Sequence, residues 1–266
     1  MPGRRFTTRI RRARTALAAE RERTAAERDA FEAFERRVGS LSPQRPDRSS
    51  GPGALARSLS GNADRSPSVL DRVRGAYRET VLALDHYEEE YDESVIENLT
   101  AEFGAEVGRA VAGSGVFTAE LKTALSAGAR EAASRRATFV AVLDEERGRL
   151  DDAGRELREV GEAMADLGVG TDRTTGREES FTSLRETRES LHALVTRCEE
   201  VVENRQEVLR APRAGGHWRR DDDTSLNEYL YIDLEVTYPI LADASEAAAT
   251  IREEQRRIER ALTHTV

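Results

Sequence analysis

Residues 150–167 read LDDAGRELREVGEAMADL, with apolar side chains at Leu150, Ala153, Leu157, Val160, Met164 and Leu167. Steps of three and four residues alternate along the run. Residues so spaced share one face of an α-helix, so the six form a single stripe among Glu, Asp and Arg. This is the spacing of a coiled-coil-like seam, which is buried only when a second helix covers it. A matching seam recurs at Leu184, Leu191, Val195, Cys198, Val202 and Leu209. Between the two seams lies GVGTDRTTGREES, whose glycines and hydroxyls mark a turn. Two seams joined by a turn predict long antiparallel helices.

Working outward, Thr118 is placed to cap a very long helix that reaches Leu167, and the next helix runs from Phe181 to Arg210. Pro212, Gly215 and Gly216 end it. Acids and hydroxyls at 221–225 favour the start of a last helix over 226–262, which Pro239 is expected to kink. Upstream, Ser66 before Pro67, or Ser68 with Asp71, opens a helix expected to run to Phe103, where Gly104 stops it. A short helix over 105–112 follows. Residues 6–38 carry weaker helical spacing at Ile10, Leu17, Thr24, Phe31, Phe34 and Val38. The expected fold is all-α: an elongated bundle of about five helices with coiled-coil-like antiparallel packing. Three segments are expected: a charged helix with a basic arm (1–38), a flexible Ser/Gly/Pro linker (39–66) and a helical bundle domain (67–266).

Composition agrees with this class. Charged residues make up 34% and aromatics 5% of the chain, as long helices with narrow seams require. No run approaches the ~18 apolar residues of a membrane span. Arg4–Arg5 lack the apolar stretch that an export signal needs, so the expected location is the cytoplasm. Lys122 is the sole lysine among 41 basic residues, an arginine bias that points to a GC-rich genome. Charge is uneven: six arginines and no acid in the first fourteen residues, ten acids and no lysine or arginine over 79–108.

That acidic stretch contains LDHYEEEYDESVIENL (84–99). Drawn as one helix, Tyr77, Val81, Leu84, Tyr91, Val95 and Leu99 fall within about 80° of each other. His86 then points away from them, with Glu89, Glu90 and Glu93 within reach. No metal ligand is assigned: these four are a speculative set that matches no metal-binding motif, and a solvated acidic face is the favoured reading. Glu88 is different. It falls inside the apolar stripe, where an unpaired carboxylate is costly, so it should find an arginine or a tyrosine hydroxyl.

Other chemistry-bearing residues read as structural. Glu189–His192 has the spacing of half a di-iron motif but faces away from its seam, and the chain holds no second pair. Cys198 lies in the seam, as an inert core thiol would. The turn AGSGVFT (112–118) lacks a strand and a lysine for a phosphate loop, and Trp218 sits in a loop of charged residues. No catalytic residues and no cofactor are assigned. The strongest interaction feature is the basic arm, Arg4, Arg5, Arg9, Arg11, Arg12 and Arg14 with Phe6 and Ile10 among them. Such an arm suits nucleic acid or an anionic membrane surface.

The phrases HYEEEYDESVIENLTAEFG, the preceding Tyr77–Thr80 and NEYLYIDLEVTYP (227–239) resemble an uncharacterised all-helical family of halophilic archaea, a domain of unknown function. The resemblance covers most of the chain outside 39–66. It implies a helical cytoplasmic protein of a high-salt cell and assigns no activity. Together these readings lead to an expectation of a non-enzymatic scaffold or protein-interaction module, self-associating or with a protein partner. The alternatives are a peripheral binder acting through the arginine arm and a weak metal-binding bundle.

Overall fold

A computed structural model of the chain describes residues 6–45, 67–84, 94–168, 180–211 and 225–264. The described residues are all-helical, with eight helices and no strand: α1 Thr8–Ser40, α2 Val69–Thr80, α3 Val95–Phe103, α4 Ala105–Ala112, α5 Ala119–Asp166, α6 Phe181–Arg210, α7 Leu226–Leu230 and α8 Pro239–His264. The chain divides into two compact units. One joins Met1–Arg21 with Val142–Val266; the other is Glu22–Ala141. At the head of the segment read as a linker, Gly39 and Ser40 complete α1, Leu41 is buried and Gln44 N–H donates to Phe117 O at 2.7 Å.

Two helices expected to be continuous are broken, and with the short helix over 105–112 counted separately the expected five or so become eight. The helix expected over 67–103 turns after Thr80, where Val81 and Leu82 N–H both close on Tyr77 O. A new helix begins beyond Ser94. The Ser94 hydroxyl accepts from Glu97 N–H, and the Glu97 side chain accepts from Ser94 N–H. This reciprocal capping box is legible as Ser-x-x-Glu in the sequence, and it outweighs the apolar spacing that had suggested continuity. The wheel drawn across 77–99 as one helix therefore does not apply. Gly104 ends α3 with φ +88°, as a glycine stop should.

The helix expected over 226–262 is likewise two. Ser225 and Glu228 make a capping box that starts α7, and residues 231–238 then leave the helical path. Pro239 does not kink a helix; it is the first residue of α8. A proline there sacrifices no hydrogen bond, because the first helical N–H groups have no intrahelical acceptor.

In the unit Glu22–Ala141, α1 contributes Phe31, Phe34 and Val38 to a core with Tyr77, Val81, Val95, Leu99, Val111, Phe117 and Leu125. Phe34 stands edge-on to Tyr77 at 5.0 Å and stacks on Phe103 at 5.9 Å. Arg136 lies 4.6 Å over the Phe31 ring and is held by Glu102 at 2.5 Å and Glu27 at 3.0 Å. Burial opposes the Arg136 charge, but the two carboxylates outweigh it and hold its pKa above the ordinary value. Inside the same core the Tyr77 hydroxyl donates to Asn98 Oδ1 at 2.5 Å.

In the other unit α5 and α6 run antiparallel, since Glu146 meets Arg205 while Glu156 meets Arg197. Leu150, Ala153, Leu157, Val160 and Met164 are buried, as are Leu184, Leu191, Val195 and Cys198. The last turns of α6 correct the expected seam. Val202 and Leu209 are only half-buried, and Val201 and Arg205 are buried instead. Steps of three and four from Cys198 lead to 201 and 205; choosing apolar residues alone leads off the face.

Candidate interaction site

In the unit that joins Met1–Arg21 with Val142–Val266, one buried polar group is built from four residues. Glu146 on α5 is 1% exposed, Arg205 on α6 4%, Asn227 on α7 1% and Tyr231 just beyond α7 1%. Arg205 Nη1 and Nη2 donate to the two Glu146 oxygens at 2.8 and 2.7 Å, and Nη2 also donates to Asn227 Oδ1 at 3.2 Å. The Tyr231 hydroxyl donates to Glu146 Oε1 at 3.0 Å. Burial, reinforced by the Glu146 charge, pushes the Tyr231 pKa well up, so the phenol stays a donor. Arg149 lies 3.8 Å from Glu146, so two arginines share one buried carboxylate.

None of these four was singled out from the sequence, yet a signal was present. Leu143, Glu146 and Leu150 keep the three–four step, as do Cys198, Val201 and Arg205. An acid and a base of opposite charge thus occupy seam positions on facing helices. A charge placed there must be paired.

The network fixes the connection between α7 and α8. Asn227 and Tyr231 anchor its start, and Leu234 N–H closes back on Tyr231 O at 2.9 Å. Tyr229 ties α7 to α1 through Glu20 at 2.7 Å. From this braced turn Ile232 stands 80% exposed and Tyr238 41%, with Asp233 and Glu235 exposed between them. Buried anchors and exposed apolar groups are thus neighbours in one short segment.

The start of α1 is held in the same unit. Asp243 on α8, 1% exposed, accepts Ile10 N–H at 2.9 Å and Arg9 N–H at 3.3 Å. Burial pushes the Asp243 pKa up, against the hydrogen bonds from Ile10 and Arg9 that favour the carboxylate. Arg9 Nη1 reaches Asp243 and Glu246, Arg12 reaches Glu235 at 3.6 Å and Arg14 pairs with Asp151. Phe6 and Ile10, read as part of a basic arm, are buried. Arg11 is exposed, and Arg4 and Arg5 lie outside the described residues.

His86, Glu88, Glu89, Glu90 and Glu93 also lie outside the described residues, as does Trp218. Cys198 is buried, and burial pushes its thiol up to about 11. Glu189 and His192 are both exposed, with Glu189 3.6 Å from Arg185. Among the described residues no three His, Cys, Asp or Glu side chains group as metal ligands, and no helix is long and apolar enough to cross a membrane.

Residues 8–255 match the family described as Domain of unknown function (DUF7260). No curated protein and no solved structure matches the chain.

Proposed function

The chain belongs to the DUF7260 family, and we propose that it is a non-enzymatic protein-interaction module that presents the α7–α8 connection to a protein partner. The observation behind this reading is Ile232, 80% exposed one residue from the fully buried Tyr231. A lone exposed apolar residue is ordinary on a surface. Here the backbone beneath it is fixed by a buried ion pair, an amide and a phenol. A loop already held in one conformation loses little entropy when it docks, and its exposed isoleucine and tyrosine supply the apolar contact. The seam packing of α5 against α6 serves in this reading as a coiled-coil-like support for the loop.

The alternative in which the arginine-rich start binds nucleic acid or an anionic membrane draws less support. Arg9, Arg12 and Arg14 already face carboxylates of their own chain. A metal role through His86 with Glu89, Glu90 and Glu93 rests on the sequence alone.

Site-specific photocrosslinking in cells tests the leading reading. A photoreactive side chain at position 232 should give discrete adducts, of doubled mass if the partner is a second copy. The same group at Glu253, exposed on α8, should give none, and Tyr238→Ala should weaken the adducts at 232. Equal labelling from positions 232 and 253 would remove the interaction reading.

A further inference from the structure

A cleft of about 430 Å³ opens beside α5 and α6 and is lined by both helices and by Ile240 at the start of α8. It is of small-molecule size. Arg205 forms part of its wall, whereas Glu146, Asn227 and Tyr231 do not line it. Arg205 thus belongs both to the polar network and to the cleft wall. A guanidinium carries five N–H donors. Three are engaged by Glu146 and Asn227, which leaves two with no acceptor among the described residues.

Charge is not uniform along the cleft. At one end Arg149 and Arg205 share the buried Glu146, and among the described residues Arg149 has the exposed Glu145 as its one further ion-pair partner. At the other end the arrangement is reversed. Arg197 serves both Glu156, at 2.6 Å, and Glu159, at 3.0 Å. Glu200, which also lines the cleft there, has no ion-pair partner among the described residues. The middle is apolar, with Ala153 and Val201, and the Asn204 side chain beside them has no hydrogen bond among the described residues.

We propose that this cleft binds a small zwitterion whose carboxylate meets Arg149 and Arg205, whose ammonium meets Glu200 and whose apolar middle lies on Val201 and Ala153. Both halves of the charge pattern are needed. A simple anion would find the arginines but leave Glu200 unpaired, and a simple cation would leave the two arginines sharing one carboxylate. Glu200 and Arg205 are five residues apart on α6, roughly 7.5 Å along the axis at 1.5 Å per residue. An extended chain of five methylenes between carboxylate and ammonium has a similar length. Omega-amino acids and short unblocked peptides belong to this class. The cleft is distinct from the exposed loop at Ile232, so either assignment stands or falls without the other.

Titration of isotope-labelled full-length protein with 6-aminohexanoate, hexanoate and hexylamine, followed by NMR, tests the assignment. The zwitterion should give saturable shifts at Val201, Asn204, Arg205 and Val208 and bind about fivefold more tightly than either single-charge probe, the size of one surface ion pair. Glu200→Gln, an exposed and fold-neutral change, should bring 6-aminohexanoate down to the affinity of hexanoate. Val201→Trp should fill the cleft and abolish the shifts; circular dichroism establishes that this variant is folded. Equal affinity for the three probes, shifts that do not saturate, or an unchanged preference in Glu200→Gln would each overturn the proposal.

Discussion

Asp243 caps α1 from the far end of the sequence: its Oδ2 accepts Ile10 N–H at 2.9 Å while Oδ1 accepts Arg9 N–H at 3.3 Å. The first N–H groups of a helix have no intrahelical acceptor, and Ile10 is fully buried, where water cannot serve instead. Removing the carboxylate leaves a buried donor unsatisfied. Asp243→Ala should therefore cost about 1–3 kcal/mol in chemical denaturation. Amide exchange at Arg9 and Ile10 should rise above that of the rest of α1. Asp243→Asn, which keeps one acceptor oxygen, should cost less. Unchanged exchange at both amides in the alanine variant would refute the cap.

The Glu146–Arg205 pair calls for a different pattern. Taking one charge away leaves the other buried without its partner, so Arg205→Met should destabilise by about 3–5 kcal/mol. Replacing Glu146 and Arg205 together by apolar residues, with Tyr231→Phe to remove the orphaned hydroxyl, should cost less than the single change. Denaturant midpoints of the two variants decide it. If the triple variant is the weaker, the pair stabilises beyond its own desolvation cost.

How much of this was legible from the chain differs between helix interiors and helix ends. Interiors were readable because burial repeats: Ile10, Leu17, Thr24, Phe31, Phe34 and Val38 were picked by spacing and are all buried. The bounds of α6 were readable from its flanking turn and proline. The break at Ser94 was misread because apolar spacing continued across it, and the one before Pro239 because the proline was read as a kink within one helix and not as the start of another. Local hydrogen bonds from Ser94 decide the start of α3, and the Ser-x-x-Glu pattern was present there. The network at Glu146 and Arg205 was missed for another reason. A stripe defined by apolar residues skips the charged members of the same face. Partners so far apart in sequence, such as Asp243 and Ile10, leave no local pattern at all.

Gly108 offers a test in which the usual expectation reverses sign. Glycine inside a helix ordinarily costs about 1 kcal/mol relative to alanine. In α4, however, a Cβ at 108 would collide with the Thr100 side chain and lie 3.1 Å from the Thr100 Cα on α3. The neighbour is backbone as well as side chain, so it cannot simply rotate away. Gly108→Ala should lower the melting temperature despite the gain in helix propensity. Gly148, with open space around its Cβ position, is the control at which the same change should raise it.

The capping box of α2 should respond to acid. Hydrogen bonds from Arg74 and then Ser68 hold the Asp71 carboxyl down, from its ordinary 3.8 to about 2. A carboxyl with a lowered folded-state pKa adds stability above its unfolded value and loses it as pH falls through the folded one. The box is thus intact above about pH 4 and lost near pH 2. Amide exchange in the first turn of α2 should accelerate across that window and should not do so in Asp71→Asn, which lacks the titrating group. A first turn equally protected at both ends of the window would contradict the assignment.

Cys198 titrates in the opposite sense. Burial raises its thiol from 9.0 to about 11, because the thiolate would have to exist in the seam between Val195 and Val201. The reactive species is the thiolate, so both its scarcity and its inaccessibility slow modification. Near pH 8 a thiol reagent should label the denatured chain fast and the native chain only as fast as it opens. A group whose folded-state pKa is raised contributes stability in full below the unfolded value, and that contribution falls as pH rises through the folded one. Stability should therefore decline between about pH 9 and 11 in the wild type. Cys198→Ala should lose that part of the decline while paying for a small cavity at all pH values, about 1 kcal/mol per missing methyl-sized group. Native labelling as fast as that of the denatured chain would place the thiol outside the seam, and with it the register that positions Arg205 against Glu146.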